Sequence, residues 1–178
     1  NRLLGDRITQ QVSYECLKLL AATVLLSPHI PLLFMGEEYG ETNPFSYFIS
    51  HTDKELVEIV RKGRREEFSY FNWQGEIPDP ASEENFQSCQ LSWNHERDKR
   101  AATLLHWYQQ LVHLRKTHPA LRSYQRDHTI IHYNPATSPV IAMERKSADA
   151  QLLVLLNFDK QQACITPPVT VTLRKVMD

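Results

Sequence analysis

Two adjacent carboxylates, Glu37 and Glu38, follow the glycine that ends a short apolar run, Ile30 to Gly36. Hydrolysis of a glycosidic bond takes two carboxyl groups on opposite sides of the sugar, about 5 Å apart when the mechanism is retaining. Neighbours on one loop generally point in different directions, so Glu37 and Glu38 are not such a pair. The loop they open, Glu37 to His51, is crowded with acids and aromatics. Phe45, Tyr47 and Phe48 would offer a flat apolar surface to the C–H face of a glucose ring. The plainer alternative, expected for at least two of the three, is that they pack the loop. His51 has a polar tip suited to a sugar hydroxyl, or else it steadies the start of the helix that follows.

Arg61, Lys62, Arg64 and Arg65 form a dense basic cluster. At the end of a helix such a run is ordinarily a solvated face that complements the helix dipole. Trp73 and Trp93 read as core anchors rather than sugar platforms, and Cys16 as packing in an apolar helix. Cys16, Cys89 and Cys164 are odd in number, far apart and in no C-x-x-C spacing, which argues against a disulfide framework and against a zinc site.

The elements that position these residues follow from periodicity. Ser13 to Leu26 is apolar almost all round, which predicts a helix buried on most of its surface. Pro28 and Pro31 stop it, and Pro31 to Met35 reads as a parallel strand covered on both faces, its partner strands expected in sequence beyond this chain. Thr52 to Glu55 has capping-box spacing, with Thr52 as the cap of a helix through about Lys62. Ser82-Glu83-Glu84 starts a short helical turn, and a long helix runs from about Asp98 to Thr117, ended by His118-Pro119. From about Leu121 the period changes. Thr129 to Tyr133, Val140 to Arg145, Gln151 to Phe158 and Val169 to Val176 are strand-length runs, predicting a small antiparallel β domain with its boundary near Leu121.

Composition narrows the partners. A chain of 178 residues with 42% hydrophobic content builds a real core, and 20 Lys plus Arg against 21 Asp plus Glu leave no long-range field to gather nucleic acid or an anionic membrane. A neutral partner such as sugar fits better. No apolar stretch reaches the roughly 18 residues of a membrane span, and the cytoplasm is the expected location.

Leu26-Ser27-Pro28-His29-Ile30-Pro31-Leu32-Leu33-Phe34-Met35-Gly36-Glu37-Glu38-Tyr39-Gly40, Asn43-Pro44-Phe45 and Tyr47-Phe48-Ile49-Ser50-His51 resemble the last barrel strand and following loop of the α-amylase superfamily. More specifically, Val60 to Phe68, Asp79-Pro80 with Glu84-Asn85-Phe86, and Leu91-Ser92-Trp93 resemble its maltooligosyltrehalose trehalohydrolase branch. Leu114 to Leu121 is similar to the same group and to glycogen-branching relatives.

The resemblance implies the C-terminal portion of a (β/α)8 barrel, with Ser13 to Leu26 as helix seven, Pro31 to Met35 as strand eight and Asp98 to Thr117 as helix eight. It assigns residues 1–120 to the barrel and 121–178 to a small antiparallel β-sandwich domain. The family's three catalytic carboxylates all precede strand eight, and Asn1-Arg2 is similar to the end of the motif that carries one of them. The chain is therefore expected to be a fragment, inactive by itself, with no catalytic residue. Its parent would hydrolyse, with retention and with no metal or organic cofactor, the α-1,4 bond beside the trehalose end of maltooligosyltrehalose.

Candidate substrate-binding residues are Glu37, Glu38, Phe45, Tyr47, His51 and Arg64. Either glutamate would serve the sugar-binding floor or be a structural carboxylate tied to backbone amides or an arginine, and Arg64 would reach the trehalose end. Rival readings are a branching or maltooligosaccharide-cleaving enzyme of the same superfamily, and a non-catalytic carbohydrate-binding protein. An isolated fragment with bare barrel faces is expected to self-associate.

Overall fold

The computed structural model describes residues 4–69, 77–96, 98–133, 138–164, 166 and 174–176. Among the described residues four α-helices come first, α1 (Tyr14–Leu26), α2 (Lys54–Ser69), α3 (Glu83–Ser88) and α4 (Lys99–Thr117). Three strands follow, β1 (Thr129–His132), β2 (Val140–Lys146) and β3 (Gln151–Asn157). The chain divides into two compact units, Asn1–Leu17 with Leu33–His106, and Lys18–Leu32 with Trp107–Asp178.

Helix starts are set by short polar side chains. Asp53 Oδ1 accepts the amides of Glu55 and Leu56 at 2.9 and 3.3 Å, Asp98 Oδ1 that of Arg100 at 2.8 Å, and Ser82 Oγ that of Asn85 at 3.4 Å. Asp53 thus caps α2 in place of Thr52, because an ionised carboxylate at a helix N-terminus also meets the positive end of the dipole. The helix continues to Ser69, well past Lys62. In α4 the buried residues Ala101, Leu104, Tyr108, Leu111 and Arg115 recur at spacings of three and four, a helical stripe.

Helix α1 differs from the expectation. Leu17, Ala21, Ala22, Leu25 and Leu26 are buried, while Val24 is 40% exposed. Its neighbours among the described residues cover one face, so burial follows a stripe instead of the whole circumference. The apolar run after it, Pro31–Met35, carries no regular secondary structure, and Ile30 and Leu32 are 83% and 88% exposed. A strand exists by its ladder of hydrogen bonds, and among the described residues no strand pairs with this run.

In the second unit no glycine closes α1, and Pro28 prevents its continuation. Two arginines take the carbonyls left over at that end. Arg115 Nη1 donates to Leu25 O and, at 2.8 Å, to Ser27 O, and its Nη2 donates to His29 O at 2.7 Å. Arg145, fully buried on β2, donates from Nη1 to Leu26 O at 2.8 Å and from Nη2 to Ser123 O at 2.5 Å. Cations at a helix C-terminus are favoured by the dipole and by the orphan carbonyls alike. Burial and the nearby Arg115 charge lower the pKa of Arg145.

The sheet is antiparallel in the order β1-β2-β3, with Ile130 opposite Glu144 and Met143 opposite Val154. Central β2 is buried on both faces, and the 3₁₀ turn Pro119–Leu121 packs against β2 and β3. Glu144, on the face opposite to Arg145, holds His132 at 3.4 Å and Lys146 at 3.1 Å. The first three predicted strands are present within a residue or so of their expected ends. The fourth, Val169 to Val176, lies mostly outside the described residues, as do Trp73 to Gly75, and Arg174–Val176 is irregular. Among the described residues no helix is long and apolar enough to cross a membrane.

Candidate functional site

The first unit is organised around the loop that begins at Gly36. Gly36 and Gly40, at φ 83° and 73°, bracket a 3₁₀ turn, Glu37–Tyr39. Both adopt the left-handed conformation that L side chains resist, and a Cβ on Gly36 would stand 2.6 Å from Glu41 Cβ. The turn delivers Glu41, 1% exposed, into the interior.

Glu41 accepts five hydrogen bonds. Oε1 takes the amides of Thr42 and Asn43, both at 2.8 Å. Oε2 takes the Tyr39 hydroxyl at 3.0 Å, the Ser92 amide at 2.6 Å and the Ser92 hydroxyl at 3.0 Å. Burial alone would raise its pKa, but the donors, led by the Asn43 and Ser92 amides, outweigh that and hold it below the ordinary carboxylate value. Burial and the Glu41 carboxylate push the Tyr39 hydroxyl up to about 12, so it stays protonated and donates. A carboxylate so fully engaged is a structural anion and not a proton shuttle.

From Glu41 onward the loop is stitched to the segment 80–92 in antiparallel order. Glu41 binds Ser92, Asn43 Nδ2 donates to Gln90 O at 2.8 Å, and the Ser46 amide meets Cys89 Sγ at 3.1 Å. Asn85 Nδ2 donates to Tyr47 O at 3.0 Å, and the Ile49 amide to Pro80 O at 2.7 Å. On the other side, buried Arg7 donates to Asn43 O at 2.8 Å and Met35 O at 2.5 Å, and its guanidinium lies over the Phe34 and Phe45 rings.

The candidate residues fall into distinct settings. Glu37 and Glu38 are half-buried on the turn itself. Phe45 belongs to an edge-to-face row, 5.1 Å from Phe34 and 6.0 Å from Phe48, which in turn lies 5.2 Å from Phe86. Phe45 and Phe48 thus pack the loop, whereas Tyr47 is 44% exposed. Arg64, buried on α2, places its guanidinium 4.9 Å from the Tyr47 ring centre and 4.6 Å from that of Phe68, and pairs with Glu67 at 2.7 Å. His51 is exposed ahead of α2.

Beside Arg64 lies a groove of about 520 Å³, lined by Arg61, Arg64, Arg65 and the run Ile77 to Pro80. Asp79 binds Arg61 through two parallel bonds of 2.9 and 2.7 Å, and that guanidinium holds the Asp79 carboxyl below its usual range.

Trp93 is the one clear reversal. It is 64% exposed and so not a core anchor. It also stands at φ 52°, a backbone conformation that costs a bulky residue about 1–2 kcal/mol. Its ring lies 6.2 Å from that of Tyr39. Glu41 and Arg7 were not among the sequence candidates. The signal for Glu41 was local, an acid just after two glycines bracketing a three-residue turn; nothing in the sequence singles out Arg7. The three cysteines are free, and among the described residues no group of three or more His, Cys, Asp or Glu is arranged to hold a metal.

No family model matches the chain. It is 36% identical over 166 residues to a malto-oligosyltrehalose trehalohydrolase of Mycobacterium tuberculosis, covering 93% of this chain and 28% of that protein. Proteins of the same name from Brevibacterium helvolum and Saccharolobus solfataricus share 41% and 42% identity over 68% and 65% of the chain, or 21% and 19% of their own lengths. A solved structure of a Salmonella typhimurium protein assigned as an α-amylase superposes with a TM-score of 0.76 at 35% identity, covering 89% of this chain and 27% of that one. The chain thus spans about a fifth to just over a quarter of the length of the relatives it matches, and over that span it is similar to proteins named malto-oligosyltrehalose trehalohydrolase and to a structure assigned as an α-amylase.

Proposed function

We propose that this chain serves as the C-terminal part of a retaining glycoside hydrolase that cleaves the α-1,4 bond next to the trehalose end of maltooligosyltrehalose, releasing trehalose. The observation that carries the reading is 36% identity, over 93% of the chain, to a protein named for that activity. The stitching of the loop supports it. Pro80, Asn85 and Ser92, which belong to the trehalohydrolase-like segments, are residues that fasten the loop from Glu41 to Ile49.

On this reading Ser13 to Leu26 is barrel helix seven, Pro31 to Met35 strand eight and Asp98 to Thr117 helix eight. Residues 1–120 complete the barrel and 121–178 form the β-sandwich domain. The catalytic carboxylates belong to the part of the enzyme that this chain does not span, and no metal or organic cofactor takes part. Glu37, Glu38, Tyr47 and His51 line the sugar cleft, Phe45 packs the loop that carries Tyr47, and Arg64, steadied against Tyr47, addresses the trehalose end. We assign the enzyme to the cytoplasm, where three free thiols are at home.

The test is release of free trehalose from maltooligosyltrehalose, measured on the chain alone and on the full-length enzyme side by side. Activity in the full-length protein only is the expected result. Branch formation without trehalose would favour the branching-enzyme reading, and activity in the chain alone would overturn the assignment of the catalytic residues.

A further inference from the structure

We propose that Trp93 is a sugar-binding platform, stacking on one ring of an α-1,4-linked glucose chain, and that Glu41 is the positioning residue that holds it out. The inference rests on the proposed carbohydrate activity and adds to it a residue that sequence reasoning placed in the core.

Three observations converge. Trp93 leaves 64% of its surface uncovered, although burying an indole is among the largest apolar gains a side chain can make. Its backbone is held at φ 52°, where a tryptophan is strained and a glycine would be at ease. The residues around it are built to keep it so. Ser92, directly before it, is bound twice to the ionised Glu41, and the Trp93 amide lies against the Tyr39 hydroxyl that donates to the same carboxylate. The Tyr39 ring sits 6.2 Å from Trp93 and 5.6 Å from His95, backing the indole from one side.

The turn that carries Tyr39 also carries Glu37 and Glu38, whose carboxylates are suited to the hydroxyl rim of a sugar while the indole takes its apolar face. Strain maintained by surrounding contacts, at an exposed aromatic, is the pattern of a binding residue and not of packing. The net charge of −1 fits a neutral ligand.

The experiment measures maltotetraose binding by calorimetry in the full-length enzyme and its Trp93→Phe, Trp93→Ala and Trp93→Gly variants, with melting temperatures alongside. Affinity should fall about tenfold in the Ala and Gly variants and stay within about threefold of wild type in Phe. The Gly variant should melt no lower than the Ala variant, since it relieves the backbone. Unchanged maltotetraose affinity in the Ala and Gly variants would overturn the proposal, whatever happens to their melting temperatures, because Trp93 would then be covered by protein and not by sugar. Binding is read without turnover. An enzyme that binds maltotetraose through Trp93 yet releases no trehalose would therefore sink the proposed activity and leave this site standing.

Discussion

Ser92 meets Glu41 twice, giving its backbone amide at 2.6 Å and its hydroxyl at 3.0 Å to the same carboxylate oxygen. A buried anion with five donors is expensive to remove, because all five lose a charged acceptor and the Tyr39 hydroxyl loses it in the interior. Glu41→Ala should cost about 3 kcal/mol in denaturant unfolding. Ser92→Ala, which removes one of the five, should cost about 1 kcal/mol.

The same contacts set an acid limb of stability. The pKa of Glu41 is lower in the folded chain than in the unfolded one, so the unfolded state takes up its proton first as pH falls. Its contribution is fully present above the unfolded pKa, about 4.3, and is lost as pH drops through the lower folded value. Glu144 is shifted in the same direction. Melting temperature against pH between 2 and 6 (roughly the range of these carboxylates) should fall less steeply in Glu41→Gln than in wild type. An equal slope would mean that Glu41 is not the titrating group.

The two arginines at the end of α1 should prove unequal to lysine. Arg115→Lys leaves a compact ammonium where a planar fork now reaches three carbonyls, and should lose about 1–2 kcal/mol. Arg115→Met should lose about 3 kcal/mol. Because Arg145 serves the same helix end, the double variant should depart from additivity by more than about 0.5 kcal/mol in equilibrium unfolding.

Glycines offer a contrast of sign. Gly63 lies inside α2 with nothing within 4 Å of a built Cβ, so Gly63→Ala should stabilise by about 0.5–1 kcal/mol. Gly36→Ala meets both a left-handed backbone and the Glu41 side chain, and should destabilise by about 2–3 kcal/mol.

The exposed run at Ile30 and Leu32 should make the isolated chain associate with itself. Size-exclusion chromatography should show higher species that shift toward monomer in Leu32→Asp. A monomer at every concentration in the unmodified chain would remove the idea.

Helices were legible in the sequence wherever local chemistry decides. Ser82 and Asp98 announce starts that the structure keeps, the start of α2 moves by one residue from Thr52 to Asp53, and the buried stripe of α4 repeats on a helical period. Strands β1 to β3 were legible as strand-length runs bounded by turn residues. What escaped was set by contacts distant in sequence. Trp93 looked like an anchor because a tryptophan usually is one, and the residue before it, Ser92, is held by Glu41, a carboxylate distant in sequence. Arg145 is the middle case. Its place in a strand could be read from the sequence, but its acceptor, Leu26 O, lies beyond any local pattern.

The clasp of Arg115 and Arg145 on the end of α1 has a consequence for modularity. The strand-forming tail is not a cassette that can be lifted out at Leu121. Moved to another scaffold, it would bring Arg145 with a fully buried guanidinium and leave behind the Leu26 carbonyl that receives it. A chimera between two relatives would have to exchange Lys18–Leu32 together with everything from Trp107 onward, because those stretches, remote in the gene, are inherited by the fold as a single part.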